Sequence, residues 1–214
     1  EILPSDWSSD VCSSDLCALA LALVIGIPLG RLMARFKGGI PDHLGTVFIV
    51  IINAVPAVVY YLFIQMYGTD LLGLPVLFSR SNYATYILPV ISLSLGDTAY
   101  YAMWIRRYMI DESNKDYVKL ATAKGVRSRD IMSRQIFRNA FVPLIQYIPT
   151  SFILTMVGSI YVESLYSIPG MGGLLVKCIQ SQDNTLVQAL VLIYSALDRK
   201  STRLNSSHLA ESRM

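Results

Sequence analysis

Arg106 to Asn139 reads RRYMIDESNKDYVKLATAKGVRSRDIMSRQIFRN, a basic island set between segments apolar enough to cross a bilayer. Near its centre lies Ala121-Thr122-Ala123-Lys124-Gly125. Taken as a helix, Val118, Ala121, Thr122 and Gly125 fall at i, i+3, i+4 and i+7 and share one face. That face carries small side chains, so the groove of another protein can approach its backbone closely. Lys115 and Lys119 sit a turn apart, within reach of acidic groups on the rim of such a groove. Gly125 supplies a left-handed end to the helix. The competing reading is an amphipathic helix lying on anionic headgroups, but such a helix buries bulky Leu, Phe or Trp. The small face favours docking.

Working outward, 53% of the 214 residues are hydrophobic and only 15% are charged, with a mean hydropathy of +0.47. A soluble domain carries about a quarter charged residues. Here the apolar residues also cluster in runs near the roughly 20 residues that a helix needs to cross a bilayer. The expected fold is therefore all-α, a polytopic transmembrane helical bundle with about five hydrophobic spans. These run over about Cys17–Gly30, Leu44–Tyr67, Tyr83–Ile105, Ala140–Val162 and Thr185–Leu197, the first and last truncated. Gly26 and Gly30 form a small-xxx-small pair that lets helices approach closely, and Pro28, Pro56, Pro89, Pro143 and Pro149 invite kinks.

Lys and Arg favour cytoplasmic loops, which sets the orientation. Arg31, Arg35 and Lys37 follow the first span, and nine basic residues between Arg106 and Arg138 follow the third. Only Arg80 follows the second and only Lys177 the fourth. Loops 31–43 and 106–139 are thus expected in the cytoplasm, and 68–82 and 163–184 outside. Cys12, Cys17 and Cys178 show no paired spacing, and His43 and His208 lie far apart, so neither a disulfide framework nor a metal site is indicated. No basic n-region marks a cleavable leader.

The two ends are compositionally foreign. Asp6–Leu16 reads DWSSDVCSSDL and Asp198–His208 reads DRKSTRLNSSH, and both resemble translated sequencing-adapter oligonucleotides. Residues 1–16 and 198–214 are therefore expected to be non-native, leaving 17–197 as a membrane-domain fragment. Setting those ends aside removes four basic and six acidic residues and moves the net charge from +3 to +5.

Asp116-Tyr117-Val118-Lys119-Leu120-Ala121-Thr122-Ala123-Lys124-Gly125, followed by Arg138-Asn139-Ala140-Phe141-Val142-Pro143, resembles the cytoplasmic loop of binding-protein-dependent ABC permeases, nearest the oligopeptide and dipeptide branch. Ala121 and Gly125 match the family's Glu-Ala-Ala…Gly signature, whereas Lys119 and Leu120 stand where Glu and the first Ala would be. A second block, Val162-Glu163-Ser164-Leu165-Tyr166-Ser167-Ile168-Pro169-Gly170-Met171-Gly172, resembles the outer segment that peptide permeases place between their last two spans. The family usually shows an Arg-Asp pair after it, and Gln182-Asp183 departs from that. The two blocks extend the resemblance over most of 84–197.

The resemblance implies one of two homologous membrane subunits of an ATP-driven peptide importer in the bacterial inner (plasma) membrane. Its implied partners are a second permease subunit, two cytoplasmic ATP-binding subunits, an extracellular substrate-binding protein and the bilayer. No nucleic acid and no cofactor are implied. The chain lacks GxxxxGK[ST], so ATP hydrolysis would reside on partner subunits and this chain would not be an enzyme. The island would be the coupling helix, docking through Val118, Lys119, Ala121, Thr122 and Gly125. Asp97, with Asn53, is a candidate for the translocation path; Asp97 reads equally as a packing group bonded to Asn53 or Gln146. In the outer segment Glu163, Pro169 and Gly170 are singled out, Glu163 more as a cap than as a substrate contact. Tyr100, Tyr101, Trp104 and Tyr108 read as an interfacial belt. An ion-coupled carrier or channel accounts for the spans and Asp97 but not for the docking helix or the Pro169-Gly170 block. Nickel or glutathione are alternative cargoes within the family.

Overall fold

The computed structural model describes residues 4–79, 82–157, 160–168 and 170–211. The described residues are helical, joined by short connections. In chain order the helices are α1 (Pro4–Arg35), α2 (Ile40–Ala54), α3 (Ala57–Leu72), α4 (Ile87–Ser113), α5 (Asp116–Ala123), α6 (Ser128–Asp130), α7 (Phe137–Val157), α8 (Ile160–Tyr166), α9 (Met171–Gln180) and α10 (Asn184–Glu211). A 3-10 turn, Tyr83–Tyr86, leads into α4, and a π-helical stretch, Ile131–Ile136, leads into α7.

Several boundaries differ from the sequence expectation, each for a local reason. α1 is helical from Pro4, ahead of the first apolar segment expected from Cys17. Leu44–Tyr67 is not one helix: Val55 and Pro56 adopt extended ψ values of 129° and 136°. Proline disfavours helical geometry in the residue before it, which places the break there. Within the expected loop 106–139, α4 continues to Ser113 and only Asn114–Lys115 interrupt before α5. Among the described residues one helix, Ser14–Arg35, is long and apolar enough to cross a membrane, and α2 with α3, bent by 104°, passes the same test as a broken span or a re-entrant loop. Ser92, Ser94, Asp97 and Thr98 dilute α4, and the apolar part of α10, Asn184–Ala196, is short.

The chain divides into two compact units. One comprises 21–55 and 95–147. Its core is Met33, Ile49, Ala99 and Ala102, with Leu29, Phe48, Ile52 and Met103 packed around them. Here α1 meets α4 almost backbone to backbone. A Cβ on Gly26 would stand 2.9 Å from the Thr98 carbonyl oxygen, and one on Gly30 would stand 2.5 Å from that of Ala102. Glycine is required because those neighbours are main-chain atoms that cannot swing aside. Between helices in lipid there is no hydrophobic drive, so such close packing supplies the association. Tyr101 is fully buried in this contact region, which removes it from the expected interfacial belt. Tyr100, Trp104 and Tyr108 remain half-buried, with Trp104 and Tyr108 stacked at 5.4 Å.

The other unit comprises 1–20, 56–94 and 148–214. Tyr61, Leu88, Val162, Tyr166 and Ile168 form its core. The Tyr166 hydroxyl lies 2.8 Å from Ser92 Oγ, Gln65 Nε2 donates to the Leu165 carbonyl at 3.0 Å, and Phe78 N donates to that of Tyr166 at 3.0 Å.

On α2 the row Ile40, Leu44, Val47 and Ile51 is left more than half exposed, a surface suited to hydrocarbon rather than water. From the α1–α4 contact we expect Gly30→Val to destabilise the protein by about 1–3 kcal/mol through overpacking. Val24→Ala, on the exposed side of the same helix, should change it by less than about 0.5 kcal/mol. Thermal unfolding in detergent distinguishes the two, and equal melting temperatures would contradict the contact.

Candidate functional site

The basic island is held together by side-chain ties between its helices and by a glycine that ends α5. α4 stops at Ser113, and Asn114 N and Lys115 N donate back to the Asp111 and Glu112 carbonyls at 3.3 and 3.2 Å. Lys115, with φ −74° and ψ 153°, then starts α5. Asp116 in its first turn complements the positive end of the helix dipole. Glu112 receives the Tyr117 hydroxyl at 2.8 Å and the Lys115 ammonium, so the end of α4 is tied to the start of α5. Burial pushes the Glu112 carboxyl up, but Lys115, Tyr117 and Asn139 outweigh it and hold it below its ordinary value.

At the other end Gly125 has φ +75°. Its N–H donates to the Thr122 carbonyl at 3.0 Å, and Val126 N donates to that of Ala121 at 3.1 Å. These two bonds are the Schellman pattern, which L-residues with a Cβ enter only with strain. The glycine is therefore set by backbone conformation, since its surroundings are open.

α5 rests on the π-helical stretch. Phe137 N donates to the Met132 carbonyl, which gives that stretch its wider turn. Arg31 at the end of α1 holds it from the other side: its Nη2 donates to Ser133 Oγ at 3.0 Å and its guanidinium lies 5.0 Å over the Phe137 ring. A second tie lies at the start of α2. Asp42 is 3% exposed and accepts from Arg106 Nε at 2.5 Å and Nη2 at 3.0 Å, and from Gly38 N at 2.9 Å. This bidentate geometry is the strong form of a charge-assisted pair.

The structure redraws the face read from the sequence. Ala121 is buried against the chain's own body at 8% exposed, and Val118 is half-buried. Lys119, Leu120, Thr122 and Ala123 are exposed, Leu120 at 57%. A small residue at 121 thus lets α5 lie close on its support, and the free surface is the neighbouring one. Lys119 pairs with Asp116 at 2.8 Å on that surface, and the Thr122 hydroxyl donates to the Val118 carbonyl at 2.9 Å.

Elsewhere, Asn53 donates to the carbonyl of Ile49 on its own helix at 2.9 Å. Among the described residues no hydrogen bond joins half-buried Asp97 to Asn53 or Gln146. Glu163 is 4% exposed and lies against the glycines of the following turn. Gly173 N donates to its Oε2 at 2.8 Å, and a Cβ on Gly170 would fall 2.3 Å from its carboxyl carbon. Gly170 begins α9 without a capping side chain, and Glu163 supplies that cap from α8. Burial raises the Glu163 carboxyl above its ordinary value, against the pull of the Gly173 and Gly172 N–H groups. Pro169 and Arg80 lie outside the described residues. Asp42, Arg106 and Arg31 were not singled out as partners from sequence; the available signal was an acid in the first turn of a helix opening Ile40-Pro41, amid basic residues.

Residues 26–197 match the family described as binding-protein-dependent transport system inner membrane component. The chain is 34% identical over 185 residues to the oligopeptide transport system permease protein AmiC of Streptococcus pneumoniae serotype 4, covering 85% of this chain and 37% of that protein. It is 32% identical over 194 residues to the glutathione transport system permease protein GsiC of Pectobacterium atrosepticum, covering 90% and 61%. It is 30% identical over 180 residues to the dipeptide transport system permease protein DppB of Lactococcus lactis subsp. cremoris, covering 84% and 59%. The chain therefore spans less than two thirds of the length of these relatives. Among solved structures, an inward-facing form of the MetNI methionine ABC transporter superposes with a TM-score of 0.67 at 14% identity, covering 95% of this chain and 94% of that one. An amino acid ABC transporter crystallised with histidines gives 0.65 at 20% identity, covering 94% and 90%. These two carry the fold alone.

The chain belongs to the binding-protein-dependent transport system inner membrane component family, and it is a membrane protein.

For the supports of α5, we expect Asp42→Ala to strand two guanidinium donors and the Gly38 N–H, costing about 2–3 kcal/mol. Hydrogen exchange of 106–125 should accelerate in the variant while exchange in α9 stays unchanged. Uniform exchange across both segments would show that the pair is not a local tie.

Proposed function

We propose that this chain is a multi-pass permease subunit of an ATP-driven peptide importer in the bacterial inner membrane. In this reading it encloses the translocation path with a homologous second permease subunit. Two cytoplasmic ATP-binding subunits and an extracellular substrate-binding protein complete the assembly, and hydrolysis resides on those ATP-binding subunits. The names of the relatives support a peptide cargo: oligopeptide, dipeptide and glutathione permeases, the last carrying a tripeptide. The basic loops support placing 31–43 and 106–139 in the cytoplasm.

The observation that carries the reading is α5 itself. It is an eight-residue helix closed at its C-terminal end by Gly125, backed by its own π-helical support and exposing Lys119, Leu120, Thr122 and Ala123. A helix this short is not stable alone; held rigidly by its supports, it can pass force from a docked ATPase into α4 and α7. The docking surface in this proposal runs through Lys119, Leu120, Thr122 and Ala123. Val118, Ala121 and Gly125 act from behind, by seating and ending the helix. Asp97 stays the better candidate for the path, since Asn53 is bonded to its own helix. Glu163 and Gly170 shape the outer segment. The family match ends at 197, where the adapter-like string begins, which supports reading 198–214 as non-native; 1–16 is read in the same way.

The test places Leu120→Asp and Gly125→Asp in the assembled transporter. A buried unpaired charge at the joint should lower ATP-driven peptide uptake at least about tenfold, with membrane insertion and pairing to the second permease subunit retained. Full uptake by Leu120→Asp would remove the docking assignment.

A further inference from the structure

Where α2 leaves the basic side of the molecule, a cavity of about 330 Å³ opens against α4. Ile49, Val50, Met103 and Ile110 give it apolar walls, and Arg106, Arg107 and Asp111 stand at its polar end. On α2 the wall includes Val50, which is 57% exposed, while Leu44, Val47 and Ile51 lie on the other face of that helix. This combination of a hydrocarbon-compatible wall and a charged end fits an amphiphile at the membrane interface.

The charges decide which one. Arg106 spends Nε and Nη2 on Asp42, so that pair is internally neutral. Arg107 and Asp111 are left, one turn apart on α4, a spacing of about 5–6 Å between Cβ atoms. Helical residues at this spacing commonly pair, yet no ion pair joins these two among the described residues. Arg107 is instead held 5.3 Å over the Trp104 ring, itself stacked on Tyr108. The cavity therefore presents one separated positive and one separated negative group.

We propose that this cavity is a binding site for a phospholipid with a zwitterionic ethanolamine headgroup. The lipid phosphate meets the Arg107 guanidinium, the ammonium meets the Asp111 carboxylate, and one acyl chain follows Ile49 and Val50. A glycerol headgroup leaves Asp111 facing net negative charge. A choline headgroup carries a cation with no N–H to donate. Arg107 and Asp111 play no part in the docking surface proposed above, so the site stands apart from that reading.

The test is native mass spectrometry of the full chain in detergent with phosphatidylethanolamine, phosphatidylglycerol and phosphatidylcholine at equal concentration. Phosphatidylethanolamine should be retained about fivefold over the other two, the effect of the one exposed ion pair, ammonium to Asp111, that they do not make. Asp111→Asn should erase that preference, whereas Arg107→Ala should weaken retention of all three lipids alike and Arg107→Lys should keep most of it. Unchanged lipid-free melting temperatures in the exposed-site variants separate lost binding from lost folding. The proposal fails if the three lipids are retained equally or if phosphatidylglycerol is preferred by the unaltered chain. It also fails if the preference survives Asp111→Asn, or if the second permease subunit displaces the lipid, which would make the cavity a seam between subunits.

Discussion

The contact of α1 on α4 through Gly26 and Gly30 is the constraint on which the unit carrying the basic island depends. Carbonyl oxygens of Thr98 and Ala102 occupy the space that a side chain would need. Once those helices are locked, Arg31 at the end of α1 comes within reach of Ser133 and Phe137. Arg106 on α4 likewise comes within reach of Asp42 at the start of α2. The polar ties are thus consequences of a packing decision made a turn or two away. Their worth is positional: they fix where the ends of three helices emerge and therefore where α5 lies.

Two short helices in different units solve the problem of their exposed ends in different ways. α5 closes itself, using Gly125 in a left-handed conformation to return two N–H groups to its last carbonyls. α9 borrows its cap, with glycines at 170 and 172 clearing room for the Glu163 carboxylate from the preceding helix and Gly173 N donating to it. The first device frees an outer surface for a partner. The second turns its carboxylate inward onto the first turn of α9. This difference is why α5 is assigned the docking task and Glu163 a scaffolding one.

Much of this was legible in the sequence, for reasons visible at particular residues. Gly125 announced a helix end because few other residues adopt positive φ, and Gly26 and Gly30 announced a close approach by their spacing. The all-helical fold followed from apolar runs of membrane-spanning length. Other features were hidden because they depend on tertiary neighbours. Periodicity places Ala121 on a small face but does not say whether that face turns toward a partner or toward the π-helical stretch behind it. Asp42 and Arg106 are 64 positions apart, and packing of α1, α2 and α4 around one core brings them together. Tyr101 looked like its interfacial neighbours, yet its place opposite Gly26 sends it into the core. The break at Val55-Pro56 was foreshadowed by proline but obscured by apolar residues on both sides.

The central claim is that α5 presents Lys119, Leu120 and Ala123 to an ATP-binding subunit. The most direct measurement is disulfide cross-linking between a cysteine at Leu120 and a scan of single cysteines across the co-expressed ATP-binding subunit, in a background without Cys12, Cys17 and Cys178. The account predicts strong cross-links from position 120 to a confined patch, responsive to nucleotide. From position 121, inward-facing, and from position 177, on the outer segment, cross-links should be weak or absent. Equal yields from 120 and 121, or none from 120 when the complex is intact, would contradict it.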